Sequence, residues 1–358
     1  MTIVLLVRLS AMGDVVQSLG AVAALHRARP AWRLVFVTQE PFVPLLDGLP
    51  GLADVVPFAR RGGLQAFWRL RRALRAQRAD FAVDLQGNWK SALVARCAGA
   101  RVVLGIGGPW RQEPASRWLL GRTVDGSGAP HPARMAFDLV ASMAPDATFE
   151  LARLQARDDE VAAERRRLLA LGFDTARPFG VVIGSDPRDP RALRPHRVVE
   201  LLATSDRPWL WLAGPDEREI AAPAGVPVLR HERGEVRRLL ALGALVAQAG
   251  GLVVGPDQGA SHVLAATGAR CRVLFGAQDP MRTAPPAAHS FLHPDGPSCR
   301  PCRSHRCHRV EGPVCMDFPI LGGVEAEVGL PAAPNRPALL PLPWPLGQGR
   351  APGGSVWP

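Results

Sequence analysis

The chain has 358 residues, enough for two α/β domains, since single hydrophobic cores stop growing at roughly 250–300 residues. It contains no Tyr and carries a formal net charge of +11, which points to an acidic partner or to a solvated arginine surface. The first apolar run is broken by Arg8 and has no basic residues before it, so it reads as neither signal peptide nor membrane span. No other stretch reaches spanning length without charges, and the expectation is a cytoplasmic protein.

Short apolar runs alternate with longer helical patterns along the chain. "TIVLLVRL", "RLVFVTQ", "ADVVPF", "FAVDLQG" and "RVVLGI" come first, followed by "FGVVIG", "PWLWLAG", "VPVLRH", "GLVVGPD" and "CRVLFG". Runs of this kind are what parallel strands look like when crossover helices cover both faces. Each half therefore reads as a doubly wound, Rossmann-like sheet, giving an α/β fold whose two domains face a cleft at the carboxyl ends of their strands. The joint is expected between Asp146 and Pro178, with one domain over 1–160 and a second over 175–328. From 329 to 358, Pro or Gly recurs every few residues, and an irregular tail is expected.

The candidate chemistry lies at strand-to-helix turns. In "RLSAMGDVVQSLG", Asp14 follows the first strand and is either a helix cap or a catalytic base. "RRGGLQAFWRLRRALRAQR" combines Arg60, Arg61, Arg69, Arg71, Arg72, Arg75 and Arg78 with an apolar stripe. It is either a membrane- or anion-facing helix or an ordinary surface helix. "DLQGNWKSAL" turns from strand to helix at Gly87 and holds Lys90, the chain's single lysine.

In the second half, "IGSDPRDPRAL" offers Arg188 and Arg191 as partners for phosphate, against the alternative of solvated loop arginines. "LAGPDERE" puts Asp216 where a carboxylate can accept from ribose hydroxyls or cap the next helix. "LVVGPDQGASHVLAATG" ends a strand at Gly255 and opens a helix near Ala260. Its N–H groups, with Gly259 allowing close approach, suit a pyrophosphate, and His262 can add a donor; alternatively Asp257 and Ser261 only cap the helix. Cys299, Cys302, Cys307 and Cys315 have a spacing that can close a structural zinc site, with reduced thiols as the alternative.

Taken in order, "RLSAMGDVV", "DLQGNWKSAL", "RQEPAS", "VVGPDQGASHVLAATG", "LFGAQDP" and "PSCRPCRSHRCHRVEGPVCMDFPI" resemble glycosyltransferase family 9, the lipopolysaccharide heptosyltransferases of type I or II. The resemblance implies a GT-B fold with an acceptor-binding first domain and a nucleotide-sugar-binding second domain. It implies inverting transfer of heptose from ADP-heptose to an inner-core Kdo or heptose of lipopolysaccharide, with no cofactor required. It casts Asp14 as the general base, and puts Ser10, Gly13, Arg60, Arg61, Gln86, Gly87, Lys90 and Arg111 on the acceptor side. Arg188, Arg191, Asp216, Asp257, Gln258, Gly259, Ser261 and His262 fall on the donor side.

Three departures from the family pattern stand out. Gln258 replaces a Thr, Arg191 replaces a Lys, and Leu193 and Arg194 replace a Trp-Pro pair. An anionic lipopolysaccharide-core acceptor further implies transient contact with the inner face of the inner membrane, and no nucleic acid. The rival readings are a transferase using another nucleotide sugar and a GT-B-fold binding protein without chemistry. A nucleotide-dependent oxidoreductase is disfavoured, because the loop after the first strand lacks the three-glycine fingerprint.

Overall fold

The computed structural model describes residues 1–126, 131–151, 153–215, 222–292, 296–304, 306–320 and 340–341. The chain divides into two units between Leu154 and Gln155.

The first unit runs β1 (Ile3–Val7), α1 (Met12–Ala28), β2 (Arg33–Gln39), β3 (Leu52–Phe58), α2 (Gly63–Ala76), β4 (Phe81–Asp84), α3 (Trp89–Cys97), β5 (Val102–Ile106), β6 (Arg122–Val124) and α4 (Pro132–Met143). Its six strands lie in the order β3-β2-β1-β4-β5-β6, all parallel. Val4, Leu5 and Leu6 are fully buried, as expected of a central strand covered by helices on both faces. One core cluster joins Leu5, Val7 and Val35 of the sheet to Leu70 and Leu74 of α2 and to Val94 and Ala95 of α3.

The second unit runs α5 (Asp158–Ala170), β7 (Gly180–Ile183), α6 (Pro195–Ala203), β8 (Trp209–Ala213), β9 (Val228–Arg230), α7 (Val236–Gln248), β10 (Leu252–Pro256), α8 (Gly259–Ala266), β11 (Cys271–Phe275), α9 (Pro280–Thr283), β12 (His289–Leu292) and β13 (Leu340–Pro341). The strand order is β13-β12-β11-β10-β7-β8-β9, parallel except for β13. Helix α5 belongs here because Arg237 Nη2 lies 2.5 Å from Glu160 Oε2 and Arg238 Nε 3.0 Å from Glu164 Oε2, which ties it to α7. Residues 155–160, read from sequence with the first domain, thus fall in the second unit.

All ten apolar runs form strands. Three further strands, β6, β12 and the two-residue β13, were not anticipated. β6 is a three-residue edge strand with Arg122 and Thr123 exposed, and β12 begins on exposed His289, so neither shows a buried run. Of the Pro- and Gly-rich tail at 329–358, only Leu340 and Pro341 fall among the described residues. Among those residues no helix is long and apolar enough to cross a membrane.

In each sheet the chain reverses direction once. α1 leads from β1 to β2 and α3 from β4 to β5, so the first sheet turns about between β1 and β4; the second does so between β10 and β7. Open α/β sheets bind ligands in the crevice that such a reversal leaves outside the strands' carboxyl ends.

Candidate functional site

At the reversal in the first unit, the loops after β1 and β4 are fastened to each other. Gln86 Oε1 accepts from Leu9 N at 2.9 Å and from Ser10 N at 3.3 Å. Asp84 Oδ1 accepts from Gln86 N at 3.1 Å and Gly87 N at 3.0 Å, which shapes the turn into α3. Gly87 has φ +84°, a conformation that L side chains rarely adopt. Asp84 is itself fully buried and pairs with Arg111 Nη2 at 2.7 Å. Arg111 also donates to Ser116 Oγ at 2.8 Å and to Ile106 O at 3.2 Å. The guanidinium of Arg111, which the resemblance puts on the acceptor side, is buried and engaged here, where it braces the Asp84 turn.

Asp14 stands in the first turn of α1, where its Oδ2 accepts from Ala11 N at 3.3 Å. It thus reaches back as the third helical residue rather than standing as the cap. The stronger contact is Arg8 Nη2 at 2.5 Å from Asp14 Oδ2. Arg8 is buried and donates through Nη1 to Leu85 O at 2.6 Å, while Asp14 keeps 31 % of its side chain exposed. A fixed, partly open carboxylate at a strand's carboxyl end can take a proton from a hydroxyl placed there. Ser10 is half-buried beside it, Gly13 is buried in α1, and Lys90 is exposed in the first turn of α3. Arg60 and Arg61 are exposed after β3, two strands away from β1.

In the second unit, the loops after β7 and β10 meet at the corresponding reversal. Gln258 caps α8 in an extended conformation, with no side chain bonded to the helix start. Ser261 N donates to Gln258 O at 3.0 Å, so the N–H groups of Gly259 and Ala260 and the positive end of the helix dipole are what is available to an anion. Ser261 Oγ donates to Pro256 O at 2.6 Å, which corrects its reading as a helix cap. His262 and Asp257 are both buried, with His262 Nε2 3.2 Å from Asp257 Oδ1.

Arg191 joins this group, because its Nη1 donates to Asp257 O at 3.3 Å. It is held from the other side by Asp189 at 2.6 Å, and that hydrogen bond, outweighing burial, raises the guanidinium's affinity for its proton. Arg188 is exposed and pairs with Asp186 at 2.6 Å, so the geometry gathers Arg191 and not Arg188. Asp216 lies outside the described residues.

The cysteine loop follows β11. Cys302 Sγ is 4.0 Å from Ala277 O, and burial, then the neighbouring Cys302, Cys307 and Cys299, push the Cys315 thiol up to about 11. Among the described residues no three His, Cys, Asp or Glu side chains are placed to hold a metal ion; His305 lies outside them.

Sequence reasoning missed Arg8, Asp84 and Asp189. A charge closing a buried strand run is a detectable signal for Arg8 and Asp84; Asp189 shows only as the acid of an Asp-Pro-Arg repeat.

Residues 67–182 match the family described as glycosyltransferase family 9 (heptosyltransferase). No curated protein matches the chain. Among solved structures, it is similar to a family 9 glycosyl transferase from Veillonella parvula, with a TM-score of 0.69 and 15 % identity over 81 % of this chain and 85 % of that one. E. coli heptosyltransferase WaaC with ADP gives a TM-score of 0.62 and 24 % identity over 81 % and 92 %. The E. coli ADP-heptose heptosyltransferase II gives 0.63 and 20 % over 83 % and 92 %. The match over 67–182 and the two parallel-sheet α/β units make the chain similar to the glycosyltransferases of family 9, with the GT-B fold of these structures.

Proposed function

We propose that the chain transfers heptose from ADP-heptose to an inner-core sugar of lipopolysaccharide, with inversion at the anomeric carbon. The observation that carries the reading is Asp14, a partly exposed carboxylate fixed by Arg8 at the sheet reversal of the first unit. In the proposed step an acceptor hydroxyl oxygen forms the new bond to the anomeric carbon while the bond to the diphosphate breaks. Asp14 takes the hydroxyl proton, and ADP leaves with the bonding electron pair. The charge that gathers on the diphosphate is met by the N–H groups of Gly259 and Ala260 in α8 and by Arg191, donors already in place before reaction.

The donor assignment draws support from the similar E. coli WaaC, solved with ADP and with ADP-2-deoxy-2-fluoro heptose. On this reading the acceptor carries acidic sugars and a lipid, and Arg60, Arg61 and Lys90 lie on its side of the reaction. The protein works at a membrane surface, on the inner face of the inner membrane.

A thermal-shift and calorimetry panel of ADP-, GDP- and UDP-sugars tests the donor. Selective binding of ADP-heptose is expected; preference for another nucleotide, or binding of none, overturns the assignment.

A further inference from the structure

Helices α2 and α3 cover the same face of the first unit's sheet, since Leu70 and Leu74 of one and Val94 and Ala95 of the other enter a single core cluster. They are neighbours, with Arg75 Nε donating to Cys97 O at 3.4 Å. Their buried sides account for the apolar spacing that makes them helices; their outer sides are apolar as well. On α2, Leu64 is 78 % and Trp68 57 % exposed, one turn apart. On α3, Trp89 is 47 % and Leu93 44 % exposed at the same spacing. The helical turn Pro114–Leu119 beside α3 adds Trp118, at 76 % the most exposed tryptophan of the three. Large apolar side chains left in water on three adjacent elements form a patch that calls for a partner.

Cations surround these anchors. The arginine side chain of Arg71 stacks 5.2 Å from the Trp68 ring centroid, and that of Arg117 5.2 Å from that of Trp118. From Arg60 to Arg78 the chain has seven arginines and no carboxylate, and α3 contributes Lys90 and Arg96 without an acid. The nearby carboxylates are engaged. Asp84 is buried against Arg111, Asp80 accepts from Ile3 N at 2.9 Å, and Glu113 accepts from Trp89 N at 2.6 Å.

The geometry points to the outer face of α2, α3 and the Pro114–Leu119 turn as the surface that docks on an anionic lipid bilayer. Tryptophan rings and leucines enter the interfacial layer, while arginines pair with lipid phosphates. A protein groove would bury the anchors but gives no reason for this excess of cations beside acids that are already engaged, whereas an anionic bilayer satisfies both features. The purpose of such docking rests on the lipid-linked acceptor proposed above; the docking itself is measured without turnover.

The test is flotation of the full chain with phosphatidylcholine vesicles, with and without phosphatidylglycerol, alongside turnover on a delipidated, water-soluble core acceptor. The wild type is expected to float only with phosphatidylglycerol, and less at high salt. Arg69→Gln with Arg72→Gln should weaken binding about 25-fold, about fivefold for each charge. Leu64→Ser with Trp68→Ser should weaken it at least about tenfold. Both double variants should keep wild-type melting temperature and soluble-acceptor turnover, because the changed side chains are exposed.

Flotation of the variants equal to wild type overturns the docking surface, as does wild-type binding indifferent to phosphatidylglycerol. Loss of single-stranded RNA retention in the variants, with vesicle binding unchanged, reassigns the face to nucleic acid and also overturns it. Absence of turnover with vesicle binding lost as described sinks the proposed transfer and leaves the docking surface standing.

Discussion

Arg8 Nη2 lies 2.5 Å from Asp14 Oδ2 while Nη1 of the same guanidinium holds Leu85 O at 2.6 Å. One buried cation therefore sets the position of the carboxylate relative to the end of β4. Arg8 acts through the proposed base that it holds, so it is a positioning residue. Arg8→Met should lower kcat at least about tenfold, since small displacements of a reacting group are costly, and leave the Kd for ADP-heptose unchanged. Arg8→Lys should recover most of the loss. Equal loss in both variants, or a change confined to KM, would remove Arg8 from this role.

The Arg111–Asp84 pair predicts a stability effect. Both side chains are essentially inaccessible, and Asp84 carries the turn that positions Gln86. Arg111→Met leaves an uncompensated buried carboxylate and should cost about 3–5 kcal/mol of unfolding free energy. Urea unfolding of the variant measures this directly. A loss near zero would mean that the turn is held by other contacts.

Arg191 and Arg188 are a paired test of the donor side. Each follows an aspartate by two residues, but only Arg191 reaches Asp257. Arg191→Gln should weaken ADP binding about 10- to 100-fold through loss of a charge-assisted contact, and Arg188→Gln should change it by less than about twofold. Isothermal titration of both with ADP decides it, and equal effects would contradict the assignment.

These sites show how far the residues alone speak. Buried parallel strands announce themselves because both faces are covered, so the ten long runs and the two-sheet plan are legible. The strand-to-helix turns carrying Asp14, Gly87 and Asp257 are legible for the same reason. Spacing is silent, however, on which way a long side chain turns. The resemblance puts Arg111 on the acceptor side, and nothing in its spacing shows that it points inward to a partner 27 residues away. Arg188 and Arg191 look equivalent in sequence and are separated by which one the β10 loop meets.

His231 should make stability depend on pH. Burial holds its imidazole below the usual histidine range, against an opposing pull from Glu164 Oε1 at 4.0 Å and from Glu235. The unfolded chain therefore binds this proton first. The contribution is fully present above about pH 6.5 and is lost as pH falls from there towards the folded-state value. The melting temperature of the wild type should fall more steeply than that of His231→Leu as the pH drops through that range; parallel curves would exclude His231 as the source.

The assignment of Asp14 as the base is tested most directly by replacing it with asparagine, which keeps its size and its hydrogen bond from Ala11 N. Heptose transfer from ADP-heptose to a soluble inner-core acceptor should fall at least about 100-fold, while calorimetry gives a donor Kd within about twofold of wild type. Turnover by Asp14→Asn comparable to wild type would contradict the account.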